Sequence, residues 1–234
     1  MFLKKKILVV VLARGGSKGI KLKNLQKVCR KSLIQHVGLF CKKLNFVDYA
    51  MVSTDNKKIA KEAIKSGFKV PFFRSKKLSG DFVRDEDVLN DVLKKVEKKE
   101  KIIFDIIVSL PPTSPFRKKK DLIKGLNLMI KDKYDSVWTI SENDTKNHPY
   151  KQLLIKNKKI NFFSPHGKKI FARQQLDKVY FRNGSAYIVN RKTLLKKKLI
   201  TKNTGAVISK NFQISIDTKF DIKLSNYFMK KKNV

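Results

Sequence analysis

Ile7-Leu8-Val9-Val10-Val11-Leu12-Ala13-Arg14-Gly15-Gly16-Ser17-Lys18-Gly19 is the stretch that decides how this chain reads. Its first half, Ile7 to Leu12, is apolar and mostly β-branched without alternation, the pattern of a strand buried on both faces. Its second half brings three glycines and two cations together. Glycine lets main chain approach a phosphate closely and adopt positive φ, so that amide N–H groups point at an anion. Arg14 and Lys18 add charge-assisted hydrogen bonds. The Gly-Lys-Ser/Thr ending of a P-loop and the Gly-x-Gly-x-x-Gly spacing of a dinucleotide site are both absent. A plain Gly-rich turn between strand and helix fits the same composition.

Downstream, Tyr49 to Ser53 and Ile102 to Leu110 read as further buried strands. Amphipathic helical stretches lie at Ser32 to Leu44, Lys57 to Ser66 and Asp85 to Lys98. The alternation predicts a parallel sheet with helices on both faces and ligands at the carboxyl ends of the strands. Between residues 141 and 182 the pattern breaks into short polar and aromatic stretches punctuated by Pro149, Pro165 and Gly167. The expectation is one domain over residues 1–234 with an inserted lobe at about 141–182. Asn183 to Asn190 resumes a strand, and Thr218 to Lys230 closes the chain as a helix.

A chain of 234 residues, 41% apolar, suffices for one sizeable α/β core. The net charge of +36 raises the possibility of nucleic-acid binding. The lysines, however, are scattered in twos and threes along nearly every predicted helix, whereas a dedicated binding face would concentrate them. No specific nucleic-acid partner is therefore expected, although the summed potential draws in anionic substrates. The basic-then-apolar N-terminus imitates a signal peptide, but its apolar run is short and lacks a cleavage pattern. The expectation is a cytoplasmic protein with no membrane partner. Cys29 and Cys41 read as reduced structural thiols, and His148 and His166 lack metal-like spacing.

Ala13-Arg14-Gly15-Gly16-Ser17-Lys18-Gly19-Ile20 with Lys23-Asn24 resembles the opening signature of the acylneuraminate cytidylyltransferases. Ser53-Thr54-Asp55, Pro112-Thr113-Ser114-Pro115-Phe116-Arg117 and Ile216-Asp217-Thr218 with Asp221 resemble that family in order and spacing, so the likeness spans nearly the whole chain. It implies a three-layer α/β/α nucleotide-diphospho-sugar transferase fold of Rossmann type with a small dimerisation lobe. The reaction it implies joins CMP, from CTP, to the anomeric hydroxyl of an acidic nine-carbon sugar. Such chemistry is governed by in-line positioning and by cations that neutralise developing charge.

On this resemblance Arg14, Lys23 and Asp217 are the catalytic set. Leu12, Ala13, Arg14, Gly15, Gly16, Ser17, Lys18, Gly19, Asn24, Arg74 and Asp81 bind the nucleotide. Lys151, Arg173, Gln174, Arg182 and Asn183 line the sugar pocket. Magnesium or manganese is expected at Asp217 with help from Asp221, because Mg²⁺ takes one or two protein carboxylates and keeps several waters. Asp221 reads equally well as a charge favouring a helix N-terminus, and Thr113 and Ser114 as parts of a rigid loop. Arg74 is suited to the cytosine carbonyl, and the amine would find a backbone acceptor near residues 12–13.

Three features depart from the family pattern. Ser215 stands where the first acid of an Asp-x-Asp pair is usual, Pro111 where glutamine is common, and Arg84-Asp85-Glu86-Asp87 is unusually acidic. A homodimer is implied by the family. The alternatives are a nucleotidyltransferase for another sugar or a sugar-1-phosphate, and a basic nucleic-acid-binding protein. Relatives that activate the eight-carbon acid Kdo match the loop less well.

Overall fold

β1 (Ile7–Leu12) sits inside a six-stranded sheet, and its side chains leave in both directions. Ile7, Val9 and Val11 enter one core cluster while Leu8 and Val10 enter another, which is why the run shows no polar alternation. The computed structural model describes residues 1–231. After β1 come a minimal hairpin of β2 (Lys27–Val28) and β3 (Lys31–Ser32), then α1 (Leu33–Cys41), β4 (Tyr49–Ser53), α2 (Lys57–Lys65) and α3 (Asp85–Glu100). Next are β5 (Ile106–Ser109), α4 (Lys119–Lys131), β6 (Ser136–Glu142), the hairpin β7 (Leu153–Lys156) and β8 (Lys159–Phe162), and β9 (Tyr180–Asn190). α5 (Arg191–Leu195), β10 (Thr204–Ile208) and α6 (Lys219–Lys231) complete the described chain.

The sheet order is β10-β6-β9-β5-β1-β4. β1 runs parallel to β4 and β5, and β6 parallel to β10. β9 is antiparallel to both β5 and β6, so the sheet is mixed and the all-parallel expectation is corrected. The reason is local connectivity: the chain leaves β6 at Glu142, passes through the lobe and returns directly beside it, Glu142 pairing with Tyr180. This pairing also narrows the excursion to residues 143–179, because both ends of the expected 141–182 segment belong to sheet strands.

Two helical layers cover the sheet. Ile34 and Val37 of α1, Ile59 and Ala63 of α2, and Leu122, Leu126 and Met129 of α4 pack on one face. Val88, Leu89, Val92, Leu93 and Val96 of α3 with Leu194 of α5 pack on the other. This is the expected three-layer α/β/α arrangement, with the protruding lobe carried between β6 and β9. Ser32 starts α1 through a reciprocal capping box with Gln35, and Asn56 accepts from the amides of Lys58 and Ile59 to start α2. A third cluster, Ile20, Val28, Leu33, Phe116, Ile214 and Ile216, takes Ile222, Leu224 and Phe228 of α6 against it. That cluster fixes the glycine-rich loop to the C-terminal segment carrying Asp217. No helix among the described residues is long and apolar enough to cross a membrane.

Candidate active site

β1, β4 and β5 are parallel and end on the same side of the sheet, so the loops following Leu12, Ser53 and Ser109 converge. The loop from β1 is fastened at several points. The Ala13 amide donates to the Ser53 carbonyl (3.0 Å), the Gly15 amide to the Asp55 carboxylate (2.8 Å), and the Asn24 side chain to the Arg14 carbonyl (3.1 Å).

None of the loop glycines adopts positive φ; among described glycines only Gly67 and Gly184 do. Close approach explains two of them instead. A Cβ on Gly15 would stand 3.0 Å from the Asn56 side chain, and one on Gly19 would stand 2.8 Å from the Asp217 carbonyl. Gly19 therefore lets the loop lie against the strand end that holds Asp217. Gly16 has open space around it.

Leu12, Arg14, Ser17, Lys18, Gly19, Lys23 and Asn24, with Asp85, Ser109 and Pro111 to Thr113, line a cleft of about 330 Å³. Each of its cations already faces an acid. Asp81 bridges Arg14 Nη2 (2.8 Å) and Lys18 Nζ (2.9 Å), and Lys23 Nζ meets Asp217 Oδ1 (2.8 Å). The hydrogen bond from Lys18, together with Arg14, holds the Asp81 carboxyl below the usual carboxylate range. Asp81 thus clamps two phosphate-binding candidates rather than facing the cleft alone.

Arg74 is buried against β4. It donates from Nε to the Ser53 hydroxyl (3.1 Å) and from Nη2 to the Ser53 carbonyl (2.6 Å). Burial lowers its pKa, with Asp55 and Asp85 opposing the shift.

The Thr113 carbonyl accepts from the Ile216 amide (2.9 Å), placing Asp217 opposite the β1 loop. Asp217 is largely exposed, and its Oδ2 lies 3.2 Å from the Ser215 hydroxyl. Among described residues no group of three or more metal-ligating side chains exists. One accessible carboxylate beside a hydroxyl suits Mg²⁺ carried in on a triphosphate and not an ion caged by protein alone. Asp221 is corrected from helper ligand to turn-closing residue. Its Oδ2 accepts from the amides of Asp217 and Thr218 and from the Thr218 hydroxyl, all within 2.9 Å.

A second, larger cleft of about 980 Å³ adjoins the first and shares Asp85 with it. Arg84, Arg182, Lys196 to Lys198 and Lys202 surround it, with Trp138 and Tyr187 on its wall. The two rings pack edge to face at 5.0 Å, and the Arg182 guanidinium lies 5.8 Å from the Trp138 centroid.

Arg182 reaches this position through a bulge. Trp138 pairs with Tyr187 and Ile140 with Arg182, so residues 183–186 of β9 stand against the single Thr139 of β6, and Gly184 turns there at φ 66°. Asn183 fills the bulge from inside, 1% exposed. Its Oδ1 accepts from Thr139 Oγ1 (2.8 Å) and the Ser185 amide (3.0 Å), and its Nδ2 donates to Ser141 Oγ (3.0 Å). The expectation of Asn183 as a sugar contact is corrected on this ground: its amide is consumed by the scaffold.

Lys151, Arg173 and Gln174 are exposed on the lobe, and neither cleft of the single chain includes them. Conversely, the lysines of 196–202, Trp138 and Tyr187 escape sequence reasoning. A lysine triplet looks like any other in this chain, and the two rings stand on strands whose pairing is not visible in the sequence. Arg117, buried, holds the Ser185 carbonyl (3.1 Å) and the Pro111 carbonyl, joining the β5 loop to the bulge. Ser114 adds a bond to the Asn183 carbonyl (2.9 Å). Thr113 and Ser114 are thus wired into the framework.

A cytidylyltransferase family model matches residues 8–232. Post-translational flagellin modification protein B of Campylobacter coli is 30% identical over 237 residues, covering 97% of each chain. CMP-N,N'-diacetyllegionaminic acid synthase of Campylobacter jejuni subsp. jejuni is 30% identical over 231 residues, again 97% of each. Among solved structures, CMP:2-keto-3-deoxy-manno-octonic acid synthetase complexed with CTP superposes with a TM-score of 0.71. At 17% identity it covers 97% of this chain and 99% of that one, a likeness of fold.

Proposed function

The chain belongs to the cytidylyltransferase family, and from that membership we propose that it transfers CMP from CTP to the anomeric hydroxyl of a sialic-acid-like nine-carbon sugar. The observation that carries this reading is the pair of adjoining clefts. One gathers Arg14, Lys18 and Lys23 around a glycine-rich loop, and the other gathers Arg182 and the 196–202 lysines beside two aromatic rings. A triphosphate suits the first. A carboxylate-bearing polyhydroxylated acceptor suits the second, where cations meet its charge and the aromatic wall its apolar face. The names of the relatives point to the same acceptor class.

In the proposed step the anomeric oxygen bonds to the α-phosphorus, the bond from that phosphorus to the β-phosphate bridging oxygen breaks, and the hydroxyl proton is released. The products are the CMP-sugar and pyrophosphate. Arg14 and Lys18 leave Asp81 to hold phosphate oxygens, and Lys23 stabilises charge developing on the leaving group. Asp217, with Ser215 beside it, would hold the magnesium ion. That ion would supply further neutralisation of the triphosphate.

We also place the reaction in the cytoplasm, where CTP is made, and read the chain as a homodimer joined through the lobe. Leu153, Leu154, Ile155, Ile160, Phe162 and Phe163 are all exposed on or beside the β7–β8 hairpin, an apolar surface that a second copy would cover.

The test is pyrophosphate release over a panel of CTP, UTP and ATP against N-acetylneuraminic, legionaminic and pseudaminic acids and sugar-1-phosphates. Release with CTP and a free nine-carbon acid supports the reading. Release only with a sugar phosphate overturns it.

A further inference from the structure

Arg117 is 7% exposed, and its three guanidinium nitrogens are unequally served. Nε holds the Ser185 carbonyl and Nη2 the Pro111 carbonyl, while Nη1 is buried and donates to nothing among the described residues. The Phe40 ring, whose centroid lies 5.6 Å from the guanidinium carbon, offers a π face and no negative charge. Burial draws the pKa of Arg117 down to about 10. A buried cation with no counter-ion and an idle donor is costly.

Arg117 lines a cleft of about 330 Å³ together with Lys31, His36 and Lys118, and no acid lines it among the described residues. These four groups come from the β5 loop, β3, α1 and the residue before α4, so only the tertiary fold gathers them. Neither lysine side chain has a hydrogen-bond or ion-pair partner among the described residues, unlike Lys18 and Lys23 of the triphosphate cleft. Lys118 supplies no side-chain cap to the thirteen-residue α4, so the positive end of that helix adds to the same cleft. His36 donates from Nε2 to the Val28 carbonyl (2.8 Å), which makes Nδ1 a further donor whenever the ring is protonated. Burial lowers the pKa of His36, and Lys31 and Arg117 add to the fall against the Val28 bond.

We propose that this cleft binds a phosphate-type oxyanion at a site separate from the triphosphate cleft. The two clefts share no lining residue. A tetrahedral dianion accepts hydrogen bonds in several directions at once, which suits two free lysines, an uncapped helix start and an uncompensated guanidinium. Arg117 also ties the site to the catalytic side, because its Nη2 holds the carbonyl of Pro111, which lines the triphosphate cleft. An anion bound here steadies the β5 loop from behind.

The probe is inorganic phosphate, added to the full chain at constant ionic strength in exchange for chloride. Proton NMR reads the His36 ring, one of three histidines, assigned by its loss in His36→Gln. A saturable shift with a rise in the His36 pKa is expected, since a neighbouring anion favours the imidazolium. It should be equal in wild type and in Arg14→Ala, which removes the centre of the triphosphate cleft. Lys31→Gln combined with Lys118→Gln, both exposed positions, should weaken phosphate about 10- to 100-fold, the range of lost charge-assisted hydrogen bonds. These changes spare Arg117, whose carbonyl bonds the loop needs to fold.

No response beyond that of chloride overturns the proposal, as does a response that the lysine variants keep or that Arg14→Ala abolishes. The same titration with pyrophosphate separates two sources of the anion: tighter binding than phosphate points to the product of nucleotidyl transfer, weaker binding to free phosphate. The His36 readout involves no turnover, so it stands or falls separately from the pyrophosphate-release panel.

Discussion

The two clefts handle charge in opposite ways. In the smaller one Arg14 and Lys18 share Asp81, and Lys23 pairs with Asp217, so every cation waits against an acid. In the larger one Lys197 pairs with Asp87 and Arg84 with Glu86, but Lys196, Lys198 and Lys202 have no ion-pair partner among the described residues. The first arrangement holds side chains in place before ligand arrives, and a polyphosphate with several charges can displace the single carboxylates. The second leaves a field of uncompensated charge that attracts an anion from a distance and is screened by salt. Pre-positioning suits the reacting phosphates, where small displacements are costly. An attracting field suits capture of a singly charged acceptor.

The sharpest way to break this contrast is Arg14→Ala, which removes the centre of the smaller cleft. A loss of about 100-fold or more in kcat is expected, as for other pre-positioned charge donors. Single-turnover pyrophosphate release checks it, and a loss below tenfold removes Arg14 from the chemistry. Arg182→Ala acts on the other cleft. It should raise KM for the sugar by roughly tenfold while CTP affinity holds, the signature of lost acceptor binding. The sugar KM in wild type should also climb more steeply with salt than the CTP KM does.

Asn183→Ala tests the framework that aims Arg182. Removing its amide leaves Ser141 and the Ser185 amide short of partners in a buried bulge, at a cost of about 1–3 kcal/mol in folding stability. Denaturant unfolding reads that loss, and a variant as stable as wild type would return Asn183 to the ligand side. The smallest effect is expected from Asp81→Asn. If Asp81 clamps cations, pyrophosphate binds a few-fold more tightly at low salt, because two freed cations greet it. If Asp81 reads the base instead, CTP weakens and pyrophosphate does not change.

Much of the first half of the fold is legible in sequence. β1 and β4 run from Ile7 to Leu12 and from Tyr49 to Ser53, as their apolar runs indicate, and α2 and α3 start at the expected Lys57 and Asp85. Buried parallel strands and capped amphipathic helices announce themselves locally. β9 is different. Its residues read as a strand, but its direction depends on where the chain re-enters after the lobe. The bulge at 183–186 is defined only against β6.

The candidate site divides along the same line. Loop chemistry, glycines beside Arg14, Lys18 and Lys23 with an acid at Asp217, was determined by the sequence, because each element is a short run whose residue types limit what it can bind. The structure alone decided which groups are free to act. Asn183 is spent inside a bulge, Asp221 closes a turn and Asp81 holds two cations. Asp85, at the start of α3, lines both clefts without a hydrogen-bond or ion-pair partner among the described residues. The partnership of a polar group depends on distant neighbours, Lys23 and Asp217 being 194 residues apart in the chain, and only packing brings such neighbours into contact.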